Sequence, residues 1–325
     1  MSGGRASASR AKVLANFAAV YLIWGSTYLA IRLAIDTIPP LLMGCVRFLV
    51  AGAVLYAWVR LRGAPRPTAR NWRAAAVVGG LLLAAGNGAV IMAERTVPSG
   101  VAALLVAIVP LWMVLLHWLW RGGARPTGRT VAGLALGVVG TALLVGRGAF
   151  TGRGTDPVGA GILLVGSFCW AVGSIYSRGA ALPSNVLLGT AMEMLAGGAI
   201  LGVVGSLGGE LSALHPGAIS TTSLLAVAYL ITFGSLIGFT AYIWLLGHVA
   251  PARAATYAYV NPIVAVVLGW LVLHEPLTPR MVAAGAVIVA AVVLITSRAA
   301  RGARGPADAG PQEVAPARSR KRRAA

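Results

Sequence analysis

VLANFAAVYLIWGSTYLAIRL, residues 13–33, holds twenty-one residues with a single charge, Arg32, near its end. About 20 apolar residues suffice for a helix to cross roughly 30 Å of hydrocarbon. Lipid offers no hydrogen-bond partner to a backbone, so a run of this kind must be helical. A second run, PVGAGILLVGSFCWAVGSIYSR at 157–178, carries the same marks in the same order. A shift of 146 places Trp24 on Trp170, Arg32 on Arg178, Arg47 on Glu193, and Gly52-Ala53-Val54-Leu55 on Gly198-Ala199-Ile200-Leu201. Further on, Val97-Pro98 matches Ala250-Pro251, Ile108-Val109-Pro110 matches Val260-Asn261-Pro262, and Trp118 matches Trp270.

Working outward, apolar runs recur at 13–33, 40–61, 73–94, 97–120, 128–147, 157–178, 185–207, 221–246, 250–273 and 280–297. The chain is 58% hydrophobic and 11% charged, against about a quarter charged in a soluble domain. Short alternating strands, the mark of a membrane barrel, are absent. The expected fold is therefore an all-α membrane protein of about ten transmembrane helices, arranged as two five-helix repeats. The expected divisions are an N-terminal tail at 1–12, a first repeat at 13–147, a linker at 148–156, a second repeat at 157–297 and a disordered basic tail at 298–325. An odd number of spans per unit makes the second unit enter the membrane upside down. Inverted repeats of this kind characterise secondary transporters, whose substrate site lies at the midplane between the halves.

Net charge is +19, and the basic residues sit in loops and tails, where they report topology rather than nucleic-acid binding. With the N-terminus in the cytoplasm, ten spans place twenty-one Lys and Arg on the cytoplasmic side and five outside, leaving Arg47 within a span. An inner-membrane protein with both termini cytoplasmic is expected. Residues 13–33 resemble a signal sequence in having Arg5, Arg10 and Lys12 ahead of an apolar run, but the internal counterpart argues for a retained helix.

Pro110 and Pro262 fall at matching positions near the middles of spans four and nine, and each removes a backbone donor, loosening the helix near Val106 and Ala258. Paired interruptions are the best sequence pointer to a transporter site. Trp24, with Ser26, Thr27 and Tyr28, and Trp170, with Ser174 and Tyr176, set rings and hydroxyls in mid-span rather than at the interfaces where belt aromatics gather. Asn87, between Gly86 and Gly88 in span three, requires a partner that the glycines would let approach. Thr240, Tyr242, Tyr257, Tyr259 and Asn261 are expected to face the same interior.

Intramembrane charge is functional by default. Arg47 and Glu193 are repeat mates, and about 10 Å of depth separates them by helical rise. Glu193 is a candidate for proton coupling, with a structural partnership as the alternative. His117, late in span four, reads as a packing residue before a relay. Gly133-Leu134-Ala135-Leu136-Gly137 in span five fits helix packing or a homodimer contact. Cys45 and Cys169 read as packing residues.

Taken together, Trp24-Gly25-Ser26-Thr27-Tyr28, Gly86-Asn87-Gly88, Ala93-Glu94, Val97-Pro98-Ser99-Gly100 and Tyr259-Val260-Asn261-Pro262 resemble the EamA domain of the drug/metabolite transporter superfamily, most of all its YedA-like bacterial inner-membrane permeases. The resemblance spans nearly all of 13–297. It implies ten helices, both termini inside, and export of metabolites, amino acids or drugs through a cavity between the repeats. The family's Gly-Glu-x-Pro/Leu turn survives as His274-Glu275-Pro276-Leu277, whereas the first half has Gly123-Ala124-Arg125-Pro126, without the acid.

Other classes find no support. A phosphate-binding loop needs a lysine, and Lys12 and Lys321 lie in the tails. No His-Glu-x-x-His, Gly-x-Ser-x-Gly or acid cluster for a metal occurs, so neither enzyme, metal site nor cofactor is expected. The expected partners are a small-molecule substrate and membrane lipid. A channel or scaffold is the alternative function.

Overall fold

The computed structural model describes residues 10–121, 127–145, 156–249 and 257–296, and every regular element among them is helical. The helices are α1 (Arg10–Ala34), α2 (Pro40–Leu61), α3 (Ala69–Ala93), α4 (Ser99–Val106), α5 (Val109–Arg121), α6 (Gly128–Val145), α7 (Pro157–Ser177) and α8 (Val186–Leu207). They continue with α9 (Thr221–Tyr229, extended through Leu230–Ile237 to Gly238–His248), α10 (Tyr257–Leu273) and α11 (Pro279–Thr296). Seven helical runs are long and apolar enough to cross a membrane, and Val131–Gly140, Val260–Leu273 and Pro279–Ala291 are shorter apolar helices. Large apolar side chains stand exposed on them, among them Leu22, Val138 and Val165, as a surface facing hydrocarbon requires.

Local chemistry sets the helix ends. Thr68 and Asn71 form a capping box at the start of α3, Asp156 caps α7, and Asn185 and Ser220 cap α8 and α9. Gly63 and Gly209 supply the left-handed turns after α2 and α8.

Two helices depart from α geometry at matching places. α3 widens into a π-helix over Gly80–Asn87, and α9 does so over Leu230–Ile237. Such widenings gather at functional sites, because they displace one residue and re-aim its neighbours.

Packing links each half of the chain to the other. α1 lies against α10 and α9, α7 lies against α5 and α3, α2 pairs with α8, and α6 pairs with α11. Gly137, the last of the glycine row expected for packing or dimer contact, and Gly140 one turn beyond it both face other helices of the chain. A Cβ on Gly140 would stand 2.6 Å from Ile288 of α11, and one on Gly137 would stand 3.1 Å from Leu111 of α5.

Span four is where the proline has its predicted effect. α4 ends at Val106 and α5 begins at Val109, with Pro110 in its first turn, where a missing N–H costs little. The partner differs. Pro262 lies inside α10, a continuous helix from Tyr257 to Leu273, so the expected loosening near Ala258 does not break the described part of that helix. Pro262 stands in the second turn, and the carbonyl that loses its donor belongs to a residue at the helix start. Residues 250–256 lie outside the described residues.

Candidate functional site

The two widened segments each receive a tryptophan from another helix. A Cβ on Gly86 would stand 3.1 Å from the ring of Trp170, and one on Gly238, directly after the α9 π-helix, would stand 2.5 Å from Trp24 Nε1. A side chain at Gly238 would force the Trp24 ring to shift, and one at Gly86 would press on Trp170. Trp24 also donates from Nε1 to the carbonyl of Gly234, at 3.2 Å. So seated, Trp24 and Trp170 meet edge to face with ring centroids 6.5 Å apart. Phe239, Tyr242 and Tyr257 close around Trp24 at 5.0–5.2 Å. Edge-on pairs of this sort add about 0.5–1.5 kcal/mol each beyond area burial.

Trp24, Trp170, Phe239 and Tyr257 wall a cavity of about 90 Å³, while Tyr242, expected to face the same interior, packs on Trp24 away from the wall. The structure brings Trp24, Thr27, Tyr28, Arg47, Asn87, Trp170, Tyr257, Asn261 and Pro262 to its wall. The amide of Asn261, oriented nitrogen-first, donates to the carbonyls of Tyr257 and Tyr21 at 3.2 Å each, fixing it beside Pro262.

Other expected residues stand elsewhere. Pro110 is absent from the wall, where its neighbour Val109 takes the place. Ser174 returns its hydroxyl to the carbonyl of Trp170 at 2.7 Å, a bond along its own helix. Ser26 meets the hydroxyl of Tyr229 at 2.6 Å. Thr240 is exposed and bonded to the carbonyl of Leu236, so it does not share the interior predicted for it. The side chains of His117 and Tyr259 lie outside the described residues.

Arg47 and its repeat mate Glu193 part company. Arg47 is 2% exposed, donates from Nε to Ser235 Oγ at 3.1 Å, and sets its guanidinium 4.7 Å from the Phe48 ring centroid. Glu193 does not line the cavity. It lies where α8 crosses α3, and a Cβ on Gly79 would collide with its carbonyl oxygen.

Several wall residues escaped the sequence reading: Gly166 and Ser167 of α7, Phe239 of α9, and the apolar Ile31, Val90, Ala103, Val106 and Ala107. Ser167 accepts a hydrogen bond from Trp112 Nε1 at 3.0 Å, which ties α5 to α7 beside the cavity. Behind the wall lies Glu94, just past the end of α3 and 1% exposed. Arg32 Nη1 donates to its backbone carbonyl at 3.0 Å, and neither of its carboxylate oxygens has a hydrogen-bond partner. A polar group after a long apolar run reads as an interfacial residue, and only packing of α1 and α2 across it could reveal its burial.

Glu275 has a different task. Its carboxylate accepts from the N–H of Ser99 at 2.8 Å, from Ser99 Oγ at 3.0 Å and from the N–H of Gly100 at 3.3 Å. The residue before α4 is Pro98, which has no side chain able to cap, so the acid arriving from beyond α10 satisfies the first turn. His274, at φ 53°, takes the left-handed turn that aims it there. The first-half counterpart of this turn, Gly123–Pro126, lies outside the described residues. No group of three or more His, Cys, Asp or Glu able to hold a metal occurs among the described residues.

Comparison with known proteins places this arrangement. A model of the EamA-like transporter family matches twice, at residues 12–146 and 157–297. The inner membrane transporter YedA of Escherichia coli (strain K12) is 44% identical over 279 residues, covering 86% of this chain and 88% of the relative. A protein of Streptantibioticus cattleyicolor named as a probable terminal-alkyne amino-acid exporter is 27% identical, covering 85% and 90%. Among solved structures, one crystal structure aligns with a TM-score of 0.61 and 24% identity over 90% of this chain and 100% of the other, a likeness of fold. With a cavity between helices from both halves, and a family model fitting each half, this chain belongs to the EamA-like transporter family.

Proposed function

We propose that this protein is a multi-pass inner-membrane secondary transporter that exports small metabolites, amino acids or drugs by alternating access between two inverted five-helix repeats, its termini in the cytoplasm. The carrying observation is the meeting of Trp24 and Trp170, from matched positions in the two halves, across one cavity. The pairing of helices supports the repeat reading. α1 packs on the widened α9 as α7 packs on the widened α3, while α2–α8 and α6–α11 pair counterparts with each other. Exchange of this kind is what a two-fold axis in the membrane plane requires. Seven long apolar helical runs and three shorter ones agree with ten spans. The exporter name of the Streptantibioticus relative supports outward direction and an amino-acid-like cargo.

The decisive test is expression in a strain sensitive to amino-acid analogues and small aromatic toxins. Protection that disappears in both Trp24→Ala and Trp170→Ala supports export through this cavity, and no protection by any compound refutes it. Saturation of flux with substrate concentration in vesicles separates alternating access from a channel. Reporter fusions in successive loops test the orientation, and fusions placing both halves the same way up overturn the inverted repeat.

A further inference from the structure

The transport reading leaves unexplained why a guanidinium stands in the wall of a cavity lined otherwise by aromatic, aliphatic and neutral polar residues. Arg47 is 2% exposed and lines the cavity, its Nε is spent on Ser235, and its Nη1 is buried with no partner. A buried cationic N–H without a partner is costly, and an anion would satisfy it. Glu94 is close enough to feel its charge, yet both of its oxygens are equally unpartnered. The two charges compensate at a distance without bonding. Arg32 and Glu275 also act on Glu94, one positive and one negative, so the cluster is balanced overall and leaves one donor nitrogen, Arg47 Nη1, without a partner.

We infer that Arg47 is the anchor for a substrate monocarboxylate whose apolar or aromatic body rests among the rings of Trp24, Trp170 and Tyr257. This deepens the export reading and rests on it. A guanidinium edge matches a carboxylate in shape and charge. The neighbouring Glu94 disfavours a dianion, because a second negative charge would find no further cation among the described residues of the wall. Glu94 competes electrostatically for Arg47, and so limits affinity and eases release.

The test is calorimetric titration at pH 7 of the full chain in detergent with three probes of nearly equal shape: phenylacetate, phenylacetamide and phenethylamine. The inference expects phenylacetate to bind at least tenfold tighter than the amide, equivalent to about 1.4 kcal/mol, with the amine weakest. Arg47→Gln should erase the difference between acid and amide. Glu94→Gln should tighten phenylacetate several-fold, a gain that a merely structural role for Glu94 would not produce. Should Arg47→Gln fail to fold, the three probes on the unaltered chain and the Glu94→Gln gain still decide. Equal binding of acid and amide, preference for the amine, absence of phenylacetate binding, or weaker phenylacetate binding in Glu94→Gln overturns the assignment. Such results leave export to be judged by the protection screen, whereas failure of that screen with selective phenylacetate binding would remove the transport reading alone.

Discussion

Gly238→Ala tests whether the seat of Trp24 is built as described. The new Cβ would lie 2.5 Å from Nε1 and 2.8 Å from Cδ1 of the indole, so the ring must retreat by about 1 Å. Overpacking of a tight interior costs about 1–3 kcal/mol. Retreat also stretches the 3.2 Å bond to the carbonyl of Gly234, worth about 0.5–1.5 kcal/mol. Against this stands the gain of alanine over glycine in a helix, about 1 kcal/mol. The net expectation is destabilisation by about 1–3 kcal/mol. The assay is SDS titration of the purified protein in mixed micelles, followed by helix circular dichroism, with Gly161→Ala as control. Gly161 is exposed on α7, and its Cβ would meet nothing within 4 Å, so that variant should gain about 0.5–1 kcal/mol. Adding Trp24→Phe to Gly238→Ala should recover part of the loss, a coupling of about 0.5–3 kcal/mol. If Gly238→Ala is as stable as the parent, or the pair is additive, the indole is not held against this glycine.

Glu275→Ala should cost about 1 kcal/mol by uncapping α4, measured by the same titration, and Gly269→Ala should imitate it, because its Cβ would stand 2.8 Å from Ser99 Oγ in the path of the carboxylate. Asp156 is held below the ordinary aspartate value of 3.8, chiefly by the hydrogen bond from Thr96 and then by the N–H of Gly159. A depressed carboxylate stabilises the fold fully above that ordinary value and loses the effect as pH falls below it. Asp156→Asn should therefore lower the thermal midpoint at pH 7, and the gap should close as the pH drops below 3.8. Proton coupling through Glu193 requires that Glu193→Gln abolish stimulation of vesicle transport by a pH gradient, and unchanged stimulation removes the residue from the mechanism.

The length and apolarity of the runs made the helices and their membrane setting legible in the sequence, since lipid allows no other backbone. Periodic identity across the halves made Trp24 and Trp170 stand out as a pair, and both reach the cavity wall. Asn87, Tyr257 and Asn261 were legible for a similar reason, as polar or aromatic groups in mid-span that need an interior. Thr240 was misjudged because its hydroxyl could be satisfied along its own helix, which a threonine in lipid readily does. Tertiary structure alone decided three things. The π widenings lie where Trp170 and Trp24 arrive from other helices, a meeting that no local pattern announces. That Arg47 reaches the cavity wall and Glu193 does not follows from which helix faces cross. The burial of Glu94, beside Arg32 of α1, is likewise a product of packing between helices, which turns an acid at the end of an apolar run into an internal charge. Hydrophobic length is a property of one segment, whereas the fate of a charge belongs to whatever packs over it.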